Sequence, residues 1–210
     1  MYYKKNYLND FKQKVRNRPI QIEDIAISKI RRVRFEGFTD DEEKFIQDMH
    51  KQVLKEAQML NKQYRTNTRE AGILINLRTN AYWIIHGKKD REVNMKDNEM
   101  AYYEFCHAGI NDLMFIHNHP STGTFSGQDF IFFCTNKQIG IVDVVGNDGT
   151  IYVLRKTPDF DESVLLEYGN LALYYKNKGH IQNNGTLAMR DILRQAASYG
   201  LMYKKGSHKS

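Results

Sequence analysis

Between Leu113 and Asp129 the sequence leaves the backbone few choices. Leu113, Met114, Phe115 and Ile116 make a short, continuous apolar run, the pattern of a buried strand, and it leads without a break into His117, Asn118, His119 and Pro120. Pro120 has no amide proton with which to continue a ladder, so the strand must stop there. Ser121 to Phe125 then form a loop. Ser126 and Asp129 place a capping residue and an acid in the first turn of a following helix, which carries Phe130, Phe133, Cys134 and Gln138. Strand, loop and helix in this order bring two histidines at a strand end towards an aspartate at a helix start.

The flanking sequence supplies a frame for that segment. Thr39 and Glu42 have the spacing of a capping box, and Phe45, Ile46, Met49, Val53, Ala57, Leu60 and Tyr64 keep a 3.6-residue stripe, which predicts a helix over Asp40 to Tyr64. Glu70 to Leu77 and Asn80 to His86 read as two strands joined by a turn. A second helix is predicted over Asp97 to Ala108, stopped by Gly109. Ile141 to Val145 and Thr150 to Leu154 read as strands joined by Asn147, Asp148 and Gly149, a strong hairpin signal. Helices alternating with strands in this way predict an α/β class: a central mixed β-sheet flanked by helices. Residues 1–38, where Ile20, Ile22, Ile25, Ile27 and Ile30 suggest short pieces packed on a neighbour, form an N-terminal extension to a domain over 39–158. Residues 159–210 form a C-terminal one, with helical patterns over 161–178 and 186–203.

Composition narrows the class. A 41% apolar fraction excludes a disordered chain, while 27% charged residues and a mean hydropathy of -0.63 exclude a membrane protein. The charged start from Met1 to Arg18 is not a signal peptide, so a cytoplasmic location is expected. Cys106 and Cys134 are too few for a disulfide framework and are expected as buried free thiols in helices. Residues 1–34 hold ten lysines and arginines against three acids, a net +7 that could attract nucleic acid or an acidic partner.

Side chains two apart on a strand share a face, so His117 and His119 can offer imidazole nitrogens to one ion, and Asp129 adds a carboxylate oxygen. Two nitrogens and one oxygen suit zinc, and three protein ligands leave a fourth position open, the mark of a catalytic site. Proton transfer then needs a further carboxylate. Glu70, at the start of a strand, is the best placed, whereas Glu92, Glu99 and Glu104 fall in a loop or on a helix surface. Ser126 has a competing role as a helix cap. His50, His86, His107, His180 and His208 lack ligand-like neighbours, and the aromatic pairs Tyr102–Tyr103, Phe132–Phe133 and Tyr174–Tyr175 are expected to serve packing.

At these residues the chain resembles the JAMM metalloproteases, also called the JAB/MPN+ family, whose pattern is a Glu, then His-X-His-Pro, then Ser-X-X-Asp. Glu70, His117, His119, Pro120, Ser126 and Asp129 match it, and the likeness covers roughly residues 40–157. Nine residues separate His119 from Asp129, where that family commonly has ten, and Phe125 replaces a proline often seen before the serine in its RadC-like bacterial branch. The resemblance implies a JAB/MPN-like fold of cytidine-deaminase-like architecture, with zinc held by His117, His119 and Asp129. It also implies a water-activating Glu70 and an oxyanion-stabilising Ser126. The activity implied is hydrolysis of a peptide or isopeptide bond, such as that joining a ubiquitin-like modifier to a lysine. The alternative is a RadC-like DNA-associated protein whose residues 1–34 bind nucleic acid. A non-catalytic scaffold and a His-Asn-His nuclease are weaker readings, and oligomeric state is open.

Overall fold

The computed structural model describes residues 18–206, and the architecture is α/β: among these residues six strands form one mixed sheet with six α-helices around it. In chain order they are α1 (Asp24–Ser28), α2 (Asp40–Tyr64), β1 (Arg69–Asn76), β2 (Tyr82–Asp90), α3 (Glu99–His107) and β3 (Leu113–His119). Then follow α4 (Gly127–Thr135), β4 (Ile139–Gly146), β5 (Ile151–Lys156), α5 (Val164–Asn177), α6 (Asn184–Arg194) and β6 (Leu201–Gly206). The strand order is β2-β1-β3-β4-β5-β6. Every neighbouring pair is antiparallel except β3 and β4, which are parallel and therefore need the crossover that α4 provides.

The sheet is apolar on both faces, which is why β1, β3 and β4 are continuous apolar runs. Ile73, Ile75, Met114, Ile116, Ile141 and Val145 face the long helix α2 and its stripe of Ile46, Val53, Leu54 and Ala57. Alternate residues, Leu74, Leu113, Phe115, Val142 and Val144, face the opposite core, where Phe130 and Phe133 of α4 and Met189 and Ile192 of α6 pack. The predicted capping box at Thr39 is formed: its side chain accepts from the Glu42 amide and the Glu42 carboxylate accepts from the Thr39 amide at 2.7 Å.

The extensions share this frame. Ile22, Ile27, Ile30, Val33 and Phe35 enter the α2-side core, whereas Ile25 is exposed. Five of the ten N-terminal basic residues, Lys4, Lys5, Lys12, Lys14 and Arg16, lie outside the described residues.

Two expectations need correction. The helical pattern over 186–203 is cut short: α6 ends at Arg194, Gly200 takes a left-handed φ of 62°, and Leu201–Gly206 becomes the edge strand β6. The stripe Met189, Ile192, Leu193 and Ala196 holds helical spacing almost to the break, which is what makes the sequence misleading there. Of the two thiols only Cys134 is buried, because Cys106 sits on the outer face of α3.

Candidate metal centre

Register and pleat assemble the site. On β3, Leu113, Phe115, His117 and His119 share one face, so the strand that enters the core as aliphatic and aromatic side chains leaves it as imidazoles. On β1 the pair Gly72–His117 fixes the register, and Glu70, two residues further along, lies on the same face beside the histidines. Pro120 to Phe125 then turn the chain into α4. There Ser126 is the N-cap as predicted: its Oγ accepts from the Asp129 amide at 3.2 Å, and the Asp129 carboxylate accepts from the Ser126 amide at 2.6 Å. The box orients Asp129 back over the strand end. The cluster thus lies beyond the C-terminal ends of two parallel strands, where open α/β sheets usually bind ligands.

His117 Nε2, His119 Nε2 and the Asp129 carboxylate form a close cluster. The two nitrogens are 3.2 Å apart, His117 Nε2 is 3.2 Å from Asp129 Oδ1, and His119 Nε2 is 3.1 Å from Asp129 Oδ2. Ligands at zinc distances of about 2.0–2.1 Å in a tetrahedron stand roughly 3.3 Å from one another, and each of these three spacings is of that size, although the two histidines face different oxygens of the one carboxylate. Two imidazole nitrogens and a carboxylate oxygen are also the right donor chemistry. The residues therefore fit zinc, and no other described group of three or more His, Cys, Asp or Glu comes together in this way.

The electrostatics of the cluster favour positive charge beside the Asp129 carboxylate. Burial raises the Asp129 carboxyl, but the facing His117 and His119 imidazoles override it and hold the group well below the usual carboxylate range. Burial lowers His119, but Asp129, and Glu70 behind it, reverse this and hold it at about 8. Glu70 is only 6% exposed, and burial pushes its carboxyl up against the pull of both imidazoles. All five residues picked out on sequence, Glu70, His117, His119, Ser126 and Asp129, line one cavity of about 600 Å³.

Sequence reasoning missed several residues that complete the place. Asn118, between the two histidines, points to the other face and is fully buried; its Oδ1 accepts from the Ala71 amide at 2.8 Å and its Nδ2 donates to Asn147 Oδ1 at 2.9 Å. It ties the ends of β1 and β3 to the β4–β5 turn. Asn147 in turn donates its amide to the His119 carbonyl at 3.1 Å and its Nδ2 to the Ile20 carbonyl at 2.8 Å. His50, unremarkable in sequence, is fully buried with Nε2 2.6 Å from Asp143 Oδ2, on the α2 side of the sheet. Phe132 and Tyr102, expected as packing, border the cavity, as do Arg91, Glu92 and Lys96 from the loop after β2.

Comparison of the chain with family models, with curated proteins and with solved structures finds no match.

Proposed function

We propose that the chain is a zinc-dependent peptidase or isopeptidase of the JAMM type. The observation that carries the reading is the cluster of His117 Nε2, His119 Nε2 and the two Asp129 carboxylate oxygens, with spacings of 3.1–3.2 Å, facing a cavity that a buried Glu70 also lines. A helix, a hairpin, a helix, the strand bearing the histidines and a crossover helix come in the order that the JAB/MPN-like fold implies, which supports the same reading.

Bound zinc would supply Lewis acidity to water and to the scissile carbonyl. The chain's own groups move the protons. Glu70, whose burial brings its basicity closer to neutral pH, accepts the proton of the attacking water and returns it to the departing amine. Ser126 Oγ already accepts the Asp129 amide, which leaves its own proton free to donate to the oxyanion at the mouth of α4. No helix among the described residues is long and apolar enough to cross a membrane, and the substrate we infer is a protein or peptide, with a ubiquitin-like conjugate as one form.

Metal analysis and terminal-amine mass spectrometry test this together. The wild-type chain should hold one zinc and should generate new amines in a mixed protein substrate. His117→Ala and Asp129→Ala should lose the metal, whereas Glu70→Gln should keep it and slow cleavage by about 10²–10⁴-fold. A metal-free wild type, or undiminished cleavage by Glu70→Gln, would overturn the assignment.

One observation favours a second reading. Residues from both ends of the chain, Arg31 and Arg32 with Lys204 and Lys205, border a groove of about 350 Å³ beside β6. A DNA-associated, RadC-like role would use it together with residues 1–34. Binding to duplex DNA that falls steeply with salt, and flattens in Lys204→Ala/Lys205→Ala, would support it, and no binding at low salt removes it.

A further inference from the structure

The cavity is much larger than zinc, a water and a carbonyl require, and its lining falls into two chemistries. The polar part of the lining is Glu70, Arg91, Lys96 and the His117–His119–Asp129 cluster, and the apolar part is Met95, Phe105, Phe115, Phe132 and Val142. The aromatic walls begin at the ligands themselves. Phe115 lies parallel to the His117 ring, 12° between planes at 5.2 Å, Phe132 stands edge-on to Phe115 at 5.8 Å, and Phe105 stacks on Phe132 at 5.8 Å.

The local sequence keeps this space open. Phe115 can lean along β1 towards the His117 end because Gly72, the partner of His117, has no side chain; a Cβ there would stand 2.7 Å from the Phe115 ring and 3.1 Å from Val93. The loop carrying Arg91 to Lys96 roofs the space, and it sits close because Gly87 lacks a side chain: a Cβ there would run into the Glu92 carbonyl.

We infer that the phenylalanine-lined part of the cavity is a specificity pocket for an aromatic or large aliphatic group of the substrate, beside the amide that His117, His119, Asp129 and Glu70 address. The inference rests on the zinc peptidase reading and adds the substrate class to it. An apolar cavity of about 150 Å³ is already large enough to take up benzene, and this one has roughly the 300–1,000 Å³ volume of pockets that engulf small ligands. A glycine at that position would leave three phenylalanine faces without partners, forfeiting their dispersion contacts. An aromatic ring would meet edges and faces at spacings the pocket already uses. A charged side chain would be stripped of water against the Met95, Phe105, Phe115, Phe132 and Val142 walls, which offer it no hydrogen bond.

Hydroxamates separate the pocket from the metal, because each carries the same zinc-binding group on a different body. The zinc-loaded full chain is titrated calorimetrically with acetohydroxamate and benzohydroxamate, each referenced to its affinity for zinc in solution. Benzohydroxamate should bind about tenfold or more tightly than acetohydroxamate, the discrimination expected when an apolar pocket is filled. Phe132→Leu, whose folding is checked by its melting temperature and zinc content, should cut that preference to below about threefold while leaving acetohydroxamate unchanged. Equal affinities in the wild type, or a zinc-loaded chain that binds neither compound, overturn the pocket and leave zinc binding standing. A wild-type chain that holds no zinc removes the underlying reading, and the pocket's assignment with it.

Discussion

Ser126 combines two duties that one pair of substitutions can separate. As N-cap its Oγ accepts a backbone proton; as proposed oxyanion donor it gives its own. Replacing a cap serine by alanine costs about 0.5–2 kcal/mol, whereas glycine costs only a few tenths. Ser126→Gly should therefore melt close to the wild type yet lose activity on the order of 10²-fold, the scale of a lost oxyanion donor, while Ser126→Ala loses both. Activity that simply follows melting temperature across the two variants would reduce Ser126 to a cap. The same residue shows why part of the site is legible in the sequence. His117, His119, Ser126 and Asp129 fall on one strand, loop and helix start, so alternation and capping suffice to bring them together. Glu70 reaches them through the pairing of β1 with β3, and residue pattern alone singles it out only with the help of a family resemblance. The His50–Asp143 contact, spanning 93 positions, has no local signature at all. Phe115 is a different case, because period-two alternation already puts it beside His117, but an apolar residue in a buried strand reads first as core.

At the scale of elements, helices and hairpins with their own caps and turns were readable to within a few residues, while β6 was not. Its residues lack a hairpin turn to a neighbour, and the strand exists because β5 presents an edge for it. The β5 end also carries a testable charge. Lys156 is buried with its Nζ near the Phe133 and Phe160 rings at 4.8 and 5.0 Å, donating to the Asn136 carbonyl at 2.9 Å, and burial lowers its pKa from the ordinary 10.5 to about 8. A folded pKa below the unfolded one means that between about 8 and 10.5 the unfolded chain holds more protons. Stability contributed by this group must then rise with pH through that window, and below about 8 the cost of burying the ammonium is present in full. Denaturant midpoints of the wild type should climb from pH 8 towards 10 relative to those of Lys156→Met, in which this contribution is absent. Parallel pH curves for the two proteins would refute it. The loop roof makes a second element-level prediction. Gly87→Ala drives a methyl into the Glu92 carbonyl, so it should lift residues 91–96 and destabilise the fold by about 1–3 kcal/mol, measured by chemical unfolding. A change below about 0.5 kcal/mol would show that the loop accommodates the methyl without strain.

For the whole molecule, the important fact is how many parts of the chain converge on the strand end that carries His117 and His119. Ile20 donates its amide to the Pro120 carbonyl at 2.8 Å, Asn147 joins His119, Ser121 and Ile20, and the Tyr152 hydroxyl donates to the Thr122 carbonyl at 3.0 Å. The N-terminal segment, the sheet and the β4–β5 turn are thereby fastened to the loop that spaces His119 from Asp129. An ion bound there, as proposed, would stabilise all of them together, because the unfolded chain would scatter His117, His119 and Asp129. Zinc at a hundredfold excess over its dissociation constant adds about 2.7 kcal/mol, and a chain of this length gains roughly 2–4 °C per kcal/mol. Chelation should thus lower the melting temperature of the wild-type protein by about 5–10 °C, and added zinc, but not magnesium, should restore it. His117→Ala should melt at one temperature with or without chelator. A chelator effect of equal size in the two proteins would mean that the ion is bound elsewhere, and no effect in either would mean that His117, His119 and Asp129 hold no ion that stabilises the fold.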